Sequence, residues 1–139
     1  MAHITVIGGG IIGRSWAVVF ARAGVAVRIL SRRKGAKASI LDDIAGAAQR
    51  AQAIKPEVSV ESLLSRISVH EDLGEAVSQS GFVMEAVEED LAIKTALFRD
   101  LDHYAPPDAV IASSTSSFGI SRFAGEILGR HRCIVAHPA

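Results

Sequence analysis

The sequence predicts a doubly wound α/β fold: a mostly parallel sheet with helices on both faces. Three observations predict it. The first 31 residues read as strand, glycine turn, helix and strand. Short β-branched runs then alternate with helical patterns to the end of the chain, with no repeat and no linker. Finally, 139 residues of which 49% are apolar suffice for one ordinary hydrophobic core.

The elements follow in order. His3 to Ile7 is short and apolar, as a strand buried on both faces must be. Gly8, Gly9 and Gly10 break it. Ile12, Trp16, Val19, Phe20 and Ala23 then recur at helical spacing, and Gly24 is a fitting stop. Val25 to Leu30 reads as the second strand of a βαβ unit. Residues 35 to 53 are alanine-rich and helical, ended by Lys55-Pro56. A short helix over 61–66 and a short strand over Ile67 to Val69 follow, then a helix over Leu73 to Ser78 and a strand over Phe82 to Ala86. Residues 89 to 103 place Ile93, Leu97, Phe98 and Leu101 on one helical face, with acidic residues in the first turn where the helix dipole favours them. Pro106-Pro107 stops that helix. Val110 to Ala112 is a strand, Ile120 to Leu128 a further helix and Cys133 to Ala136 a last strand.

Composition excludes several functions. Fifteen Lys+Arg balance fifteen Asp+Glu, so no basic field exists for nucleic acid or an anionic membrane. No apolar run approaches the roughly 20 residues that cross a bilayer, and the start has no signal-peptide pattern. One cysteine forms no disulfide framework, and the histidines have no metal spacing. A cytoplasmic protein that binds neither metal, nucleic acid nor membrane is the expectation.

The glycine turn carries the chemistry. Gly8-x-Gly10-x-x-Gly13 has dinucleotide-binding spacing: a tight turn, a bare backbone for a pyrophosphate, and close packing of helix on strand. The helix start at Ile11 and Ile12 offers unpaired N–H groups to phosphates. This context makes the fold Rossmann-type and the cofactor NAD or NADP. An acidic residue is expected about 20 residues after the motif to bind the adenine ribose. Ser31 stands there instead, followed by Arg32, Arg33 and Lys34. A hydroxyl beside guanidinium groups suits a 2′-phosphate, so the residues lean toward NADP. A solvated basic loop with Ser31 on a ribose hydroxyl is the alternative.

Three segments resemble one family. They are Ile4 to Gly13; Glu85-Ala86-Val87-Glu88-Glu89-Asp90-Leu91-Ala92-Ile93-Lys94-Thr95-Ala96-Leu97-Phe98; and Ala112 to Phe118 with Ala136-His137-Pro138. Together they resemble the NAD-binding domain of the 3-hydroxyacyl-CoA dehydrogenases, nearest to the branch of lambda-crystallin (an L-gulonate 3-dehydrogenase) and carnitine dehydrogenase. The resemblance implies a catalytic base at His137, a substrate-positioning hydroxyl at Ser116 directly after Thr115, and cofactor contacts at Glu89 and Lys94. These residue types suit the chemistry. Imidazole can take and return a hydroxyl proton near neutral pH, and a serine can hold the substrate oxygen in line. Without the resemblance, the serine run also suits the cap of the helix near Ile120, and Glu89 and Lys94 a solvated helix face.

The sequence departs from the family at three places. Ser31 replaces the acidic ribose ligand. The stretch Ala47 to Ile54 is mostly alanine and lacks the lysine expected for an acyl-CoA, which favours a small free 3-hydroxy acid over a thioester. The family's glutamate partner of the histidine, its following asparagine and its helical substrate and dimerisation domain all lie beyond His137. The expectation is therefore a dinucleotide-binding domain over residues 1–139, inactive alone, that reaches a homodimer through a further C-terminal domain. Two alternatives stand beside it: an acyl-CoA oxidiser of β-oxidation proper, and a non-catalytic dinucleotide-binding or crystallin-like structural protein.

Overall fold

The computed structural model describes residues 3–53 and 57–138. Its strands are β1 (His3–Ile7), β2 (Val27–Leu30), β3 (Ile67–His70), β4 (Ser80–Glu85), β5 (Val110–Ser113) and β6 (Cys133–Val135). Its helices are α1 (Ile11–Arg22), α2 (Lys37–Gln52), α3 (Val60–Ser65), α4 (Leu73–Val77), α5 (Leu91–Tyr104) and α6 (Ser121–Ala124), with a 3-10 turn over Arg130–Arg132. The six strands form one sheet in the order β3-β2-β1-β4-β5-β6, and every pairing is parallel. The order reverses between β1 and β4, the switch point where open α/β sheets bind ligands.

Alternation along the strands feeds two cores. Val6, Ile29, Met84 and Ala112 pack with Ala17, Ala21, Ile40, Ile44 and Leu63 on the α1–α2–α3 face. Ile7, Leu30, Val83 and Ile111 pack with Val77, Leu97, Phe98, Leu101 and Phe123 on the other face. β1 is buried along its whole length, which explains its uninterrupted apolar run.

Several element readings need correction. On α1 the fully buried positions are Gly13, Ala17 and Ala21, not the larger residues at the expected spacing; Ile12 and Val19 are exposed. Small residues at four-residue spacing let the helix axis come close to the sheet, and Trp16, Val18 and Phe20 fill the flanks. α5 begins at Leu91, with no acidic residue in its first turn. Asp90 is its N-cap, accepting from the Ile93 N–H at 2.9 Å. On that helix Ile93 is exposed and Lys94 is buried, so apolar periodicity misplaced one position. The helix expected from Ile120 to Leu128 lasts only from Ser121 to Ala124. Gly125 weakens helical continuation, and Ile127 turns inward while Leu128 is 90% exposed. β2 begins at Val27 and β4 at Ser80, and β6 ends at Val135 with Cys133 its buried first residue. Lys55-Pro56, the expected stop of α2, lies outside the described residues.

The glycine turn is fixed by contact. Gly8 has φ +117°, and a Cβ there would lie 2.6 Å from the Ala86 carbonyl oxygen. A Cβ on Gly13 would lie 1.9 Å from the Gly8 carbonyl oxygen. Around Gly10 a Cβ would meet nothing within 4 Å. Gly13→Ala is therefore expected to lower unfolding stability in urea by about 1–3 kcal/mol through overpacking. Gly10→Ala should cost less than about 1 kcal/mol.

Candidate functional site

The C-terminal ends of β1, β4, β5 and β6 are stitched edge to edge where the site forms. Ala86 N–H donates to the Ile7 carbonyl at 2.9 Å, Ser114 N–H to Glu85 at 2.9 Å and Ala136 N–H to Ser113 at 2.8 Å. Two cavities open there and share Val87.

The first has a volume of about 350 Å³ and is lined by Gly8, Gly9, Ser31, Arg32, Val87, Glu88, Ile93 and Asp100 among others. Ser31 is buried, and its N–H donates to the His70 carbonyl. Arg33 is turned away; its guanidinium donates to the Ser39 hydroxyl at 3.2 Å on α2. Val87 and the exposed Ile93 are apolar wall residues that the sequence reading missed.

The second cavity, about 210 Å³, is lined by Ile12, Ala86, Val87, Glu89, Ser114, Ser116, His137 and Pro138. The structure thus brings together Glu89, Ser116 and His137 from three separate segments. Val87 is the residue both cavities share, Gly8 and Gly9 line only the first, Gly13 is buried, and Ile11 is exposed beside α2.

Lys94 lines neither cavity. Its side chain is 1% exposed. Its ammonium contacts Glu85 Oε1 closely, lies 3.2 Å from Glu89 Oε1 and donates to the Val87 carbonyl at 3.5 Å. Ser113 Oγ donates to Glu85 Oε2 at 3.0 Å and accepts the Thr115 N–H at 3.2 Å. Thr115 Oγ1 donates to Glu89 Oε2 at 2.9 Å. The result is a closed ring, Glu85–Lys94–Glu89–Thr115–Ser113, that ties β4, α5 and the loop after β5. Thr115 Oγ1 also accepts the N–H groups of Ser117 and Phe118, which fixes the backbone on either side of Ser116. Sequence reasoning missed Glu85, Ser113 and Thr115 as ring members. The available signal was a glutamate closing an apolar strand, matched by a lysine inside the apolar stripe of the next helix.

Burial pushes the Glu85 carboxyl up, against the opposing pull of Lys94 and Ser113. For Glu89 the burial effect is outweighed by hydrogen bonds from Thr115, Lys94 and Ser117, so its carboxyl sits below the usual carboxylate range. Among the described residues no group of three or more His, Cys, Asp or Glu side chains is placed to hold a metal ion, and no helix is long and apolar enough to cross a membrane.

Strand order, switch point and glycine turn define a dinucleotide-binding fold of the dehydrogenase type. The chain belongs to the 3-hydroxyacyl-CoA dehydrogenase family, whose NAD binding domain model matches residues 3–139. A human lambda-crystallin homolog is 33% identical over 97% of this chain and 43% of its own length. A bifunctional L-carnitine dehydrogenase/betainyl-CoA thioesterase from Ruegeria pomeroyi is 32% identical over 99% of this chain and 28% of its own. The crystal structure of FadB2 from M. tuberculosis superimposes with TM-score 0.90 at 31% identity, covering 99% of this chain and 49% of that one. The chain thus spans less than half the length of these relatives.

Glu89 supplies a test of the ring. A lowered carboxylate pKa contributes stability that is present above its unfolded value and lost as pH falls through the folded value. Thr115→Val removes one donor, so the Glu89 carboxyl should titrate closer to its ordinary value, read by carbon-13 NMR of the side-chain carboxyls. The acid-sensitive share of stability should shrink with it.

Proposed function

We propose that the chain is the cofactor-binding part of an NAD(P)-dependent dehydrogenase that interconverts a 3-hydroxy and a 3-keto acyl or carboxylic compound. The observation that carries this reading is the meeting of Glu89, Ser116 and His137 in one cavity beside the glycine turn. Family membership and the bare space at Gly10 support it.

In this reading the pyrophosphate lies against Gly8 to Gly10 and the start of α1 at Ile11 and Ile12, and Gly13 keeps that helix close. The adenosine end occupies the first cavity, between Ser31 and Arg32 on one side and Val87 and Ile93 on the other. A pocket with apolar walls, Arg32 and two carboxylates, Glu88 and Asp100, meets a glycine with open space before it, which suits an adenosine and a pyrophosphate. Bound nicotinamide would supply the hydride acceptor. The chain's own residues do the rest. His137 accepts the hydroxyl proton of the substrate and returns it in the reverse direction. Ser116 donates a hydrogen bond to the same oxygen and holds it in place. Glu89, held by Lys94 and Thr115, faces the nicotinamide ribose.

Arg32 in the first cavity supports NADP over NAD, since Ser31 brings no carboxylate to repel a 2′-phosphate. The remaining substrate contacts and a homodimer interface fall to segments outside this chain, in a reaction we place in the cytoplasm. A free 3-hydroxy acid is favoured by the alanine-rich end of α2, which carries no lysine within Ala47–Gln52. A thioester substrate is the second reading, because Arg14 and Arg50 both line the groove between α1 and α2.

Calorimetric titration should show NADPH binding more tightly than NADH, with Arg32→Ala removing the difference; equal affinities in the unmodified protein would return the cofactor to NAD. In the intact enzyme, His137→Gln should lower turnover about 10²–10⁴-fold while cofactor Kd changes less than about twofold. Retained turnover would place the base elsewhere.

A further inference from the structure

The ring beneath the second cavity has an unbalanced charge. Lys94 offers three N–H donors and has three acceptors, Glu85, Glu89 and the Val87 carbonyl. It has no donor to spare for a ligand and no exposed surface from which to reach one. An ammonium sealed from water needs an anion sealed beside it. Glu85, 0% exposed, is that anion, and Ser113 satisfies its second oxygen. Glu89 is the other carboxylate, 40% exposed and facing the cavity. With Glu85 balancing Lys94, the charge of Glu89 is left over. The ring presents one surplus negative charge to the cavity that holds Ser116 and His137.

We propose that Glu85 is a specificity-determining residue for the oxidised cofactor: by neutralising Lys94 it frees the Glu89 carboxylate to attract the cationic nicotinamide of NAD+ over the neutral ring of NADH. This also makes Lys94 a positioning residue that acts through Glu89 and touches no ligand. The inference rests on the cofactor reading above, which places the nicotinamide in the second cavity. The surplus charge is partly exposed, so its effect is moderated by solvent.

The test compares the dissociation constants of NAD+ and NADH, by calorimetry on the intact protein, across charge variants. Glu85→Gln makes the ring neutral, and the ratio Kd(NAD+)/Kd(NADH) should rise about five- to tenfold. Glu89→Gln also makes it neutral, without leaving a buried charge unpaired, and should raise the ratio equally. The double variant Glu85→Gln/Lys94→Met restores one surplus negative charge and should bring the ratio back to within about twofold of the starting value. If Glu85→Gln does not fold, the double variant measured against Lys94→Met carries the test, since those two differ only in the Glu85 charge and their ratios should differ about five- to tenfold. A merely structural role for Glu85 would weaken both cofactors in proportion and leave the ratio fixed; that outcome overturns the inference and leaves the cofactor reading standing. An unmodified protein that binds neither NAD+ and NADH nor NADP+ and NADPH overturns both.

Discussion

The candidate site depends on a buried ammonium. Lys94 lies on α5 among Leu97, Phe98 and Leu101, where the helical stripe calls for an apolar residue. It is tolerable there because Glu85 comes to meet it from the end of β4. Breaking such a pair costs about 3–5 kcal/mol when one partner is left charged and alone, whereas an apolar pair of the same volume is often no worse. Stability by itself gives little reason for the pair. Its geometry gives a better one. It docks α5 against the strand end at a fixed height and leaves Glu89 at the cavity rim, held from both sides by Lys94 and Thr115.

The ring also explains how a serine-rich loop becomes ordered. Ser113, Ser114, Thr115, Ser116 and Ser117 form a run that is a poor candidate for fixed structure. Three of its side chains are committed. Ser113 donates to the Glu85 carboxylate, Ser114 to the Glu85 carbonyl at 2.9 Å, and Thr115 to Glu89. Ser117 also reaches Glu89, which leaves Ser116, exposed beside Thr115. A hydroxyl that makes no internal hydrogen bond, on a backbone pinned at both neighbours, is free to meet a ligand without first being reorganised.

Much of the fold was legible because β-branched runs and glycine turns are local signals. The six parallel strands fall where alternation placed them, to within a residue or two at the ends. The reading failed where tertiary contact overrides periodicity. α1 buries glycine and alanine because its axis is pulled close to the sheet, which no count of large apolar residues reveals. Ile93 and Lys94 exchanged their expected environments because a partner on another element cannot be seen in a helical wheel; only Glu85, nine positions earlier in sequence, makes the lysine's burial sensible. Of the site, the glycines, Ser31, Arg32, Glu89, Ser116 and His137 were named from the sequence. The ring that holds Glu89 and the backbone around Ser116 was not, since hydrogen bonds between distant hydroxyls and carboxylates leave little pattern along the chain.

The division of the site into two cavities bears on how such a domain can vary. Ser31 and Arg32 line only the first cavity, while Glu89, Ser116 and His137 line only the second. Val87 alone among the strand-end residues touches both, and its carbonyl is one acceptor of the Lys94 ammonium. Choice of nucleotide at one end and proton transfer at the other therefore rest on different side chains, joined by rigid backbone. Substitutions at Ser31 or Arg32 can alter the recognition of a phosphate without disturbing the ring, because no hydrogen bond of the ring reaches β2. The converse does not hold with equal force. A change in the ring that shifts Lys94 moves the Val87 carbonyl, and with it the wall that both cavities share.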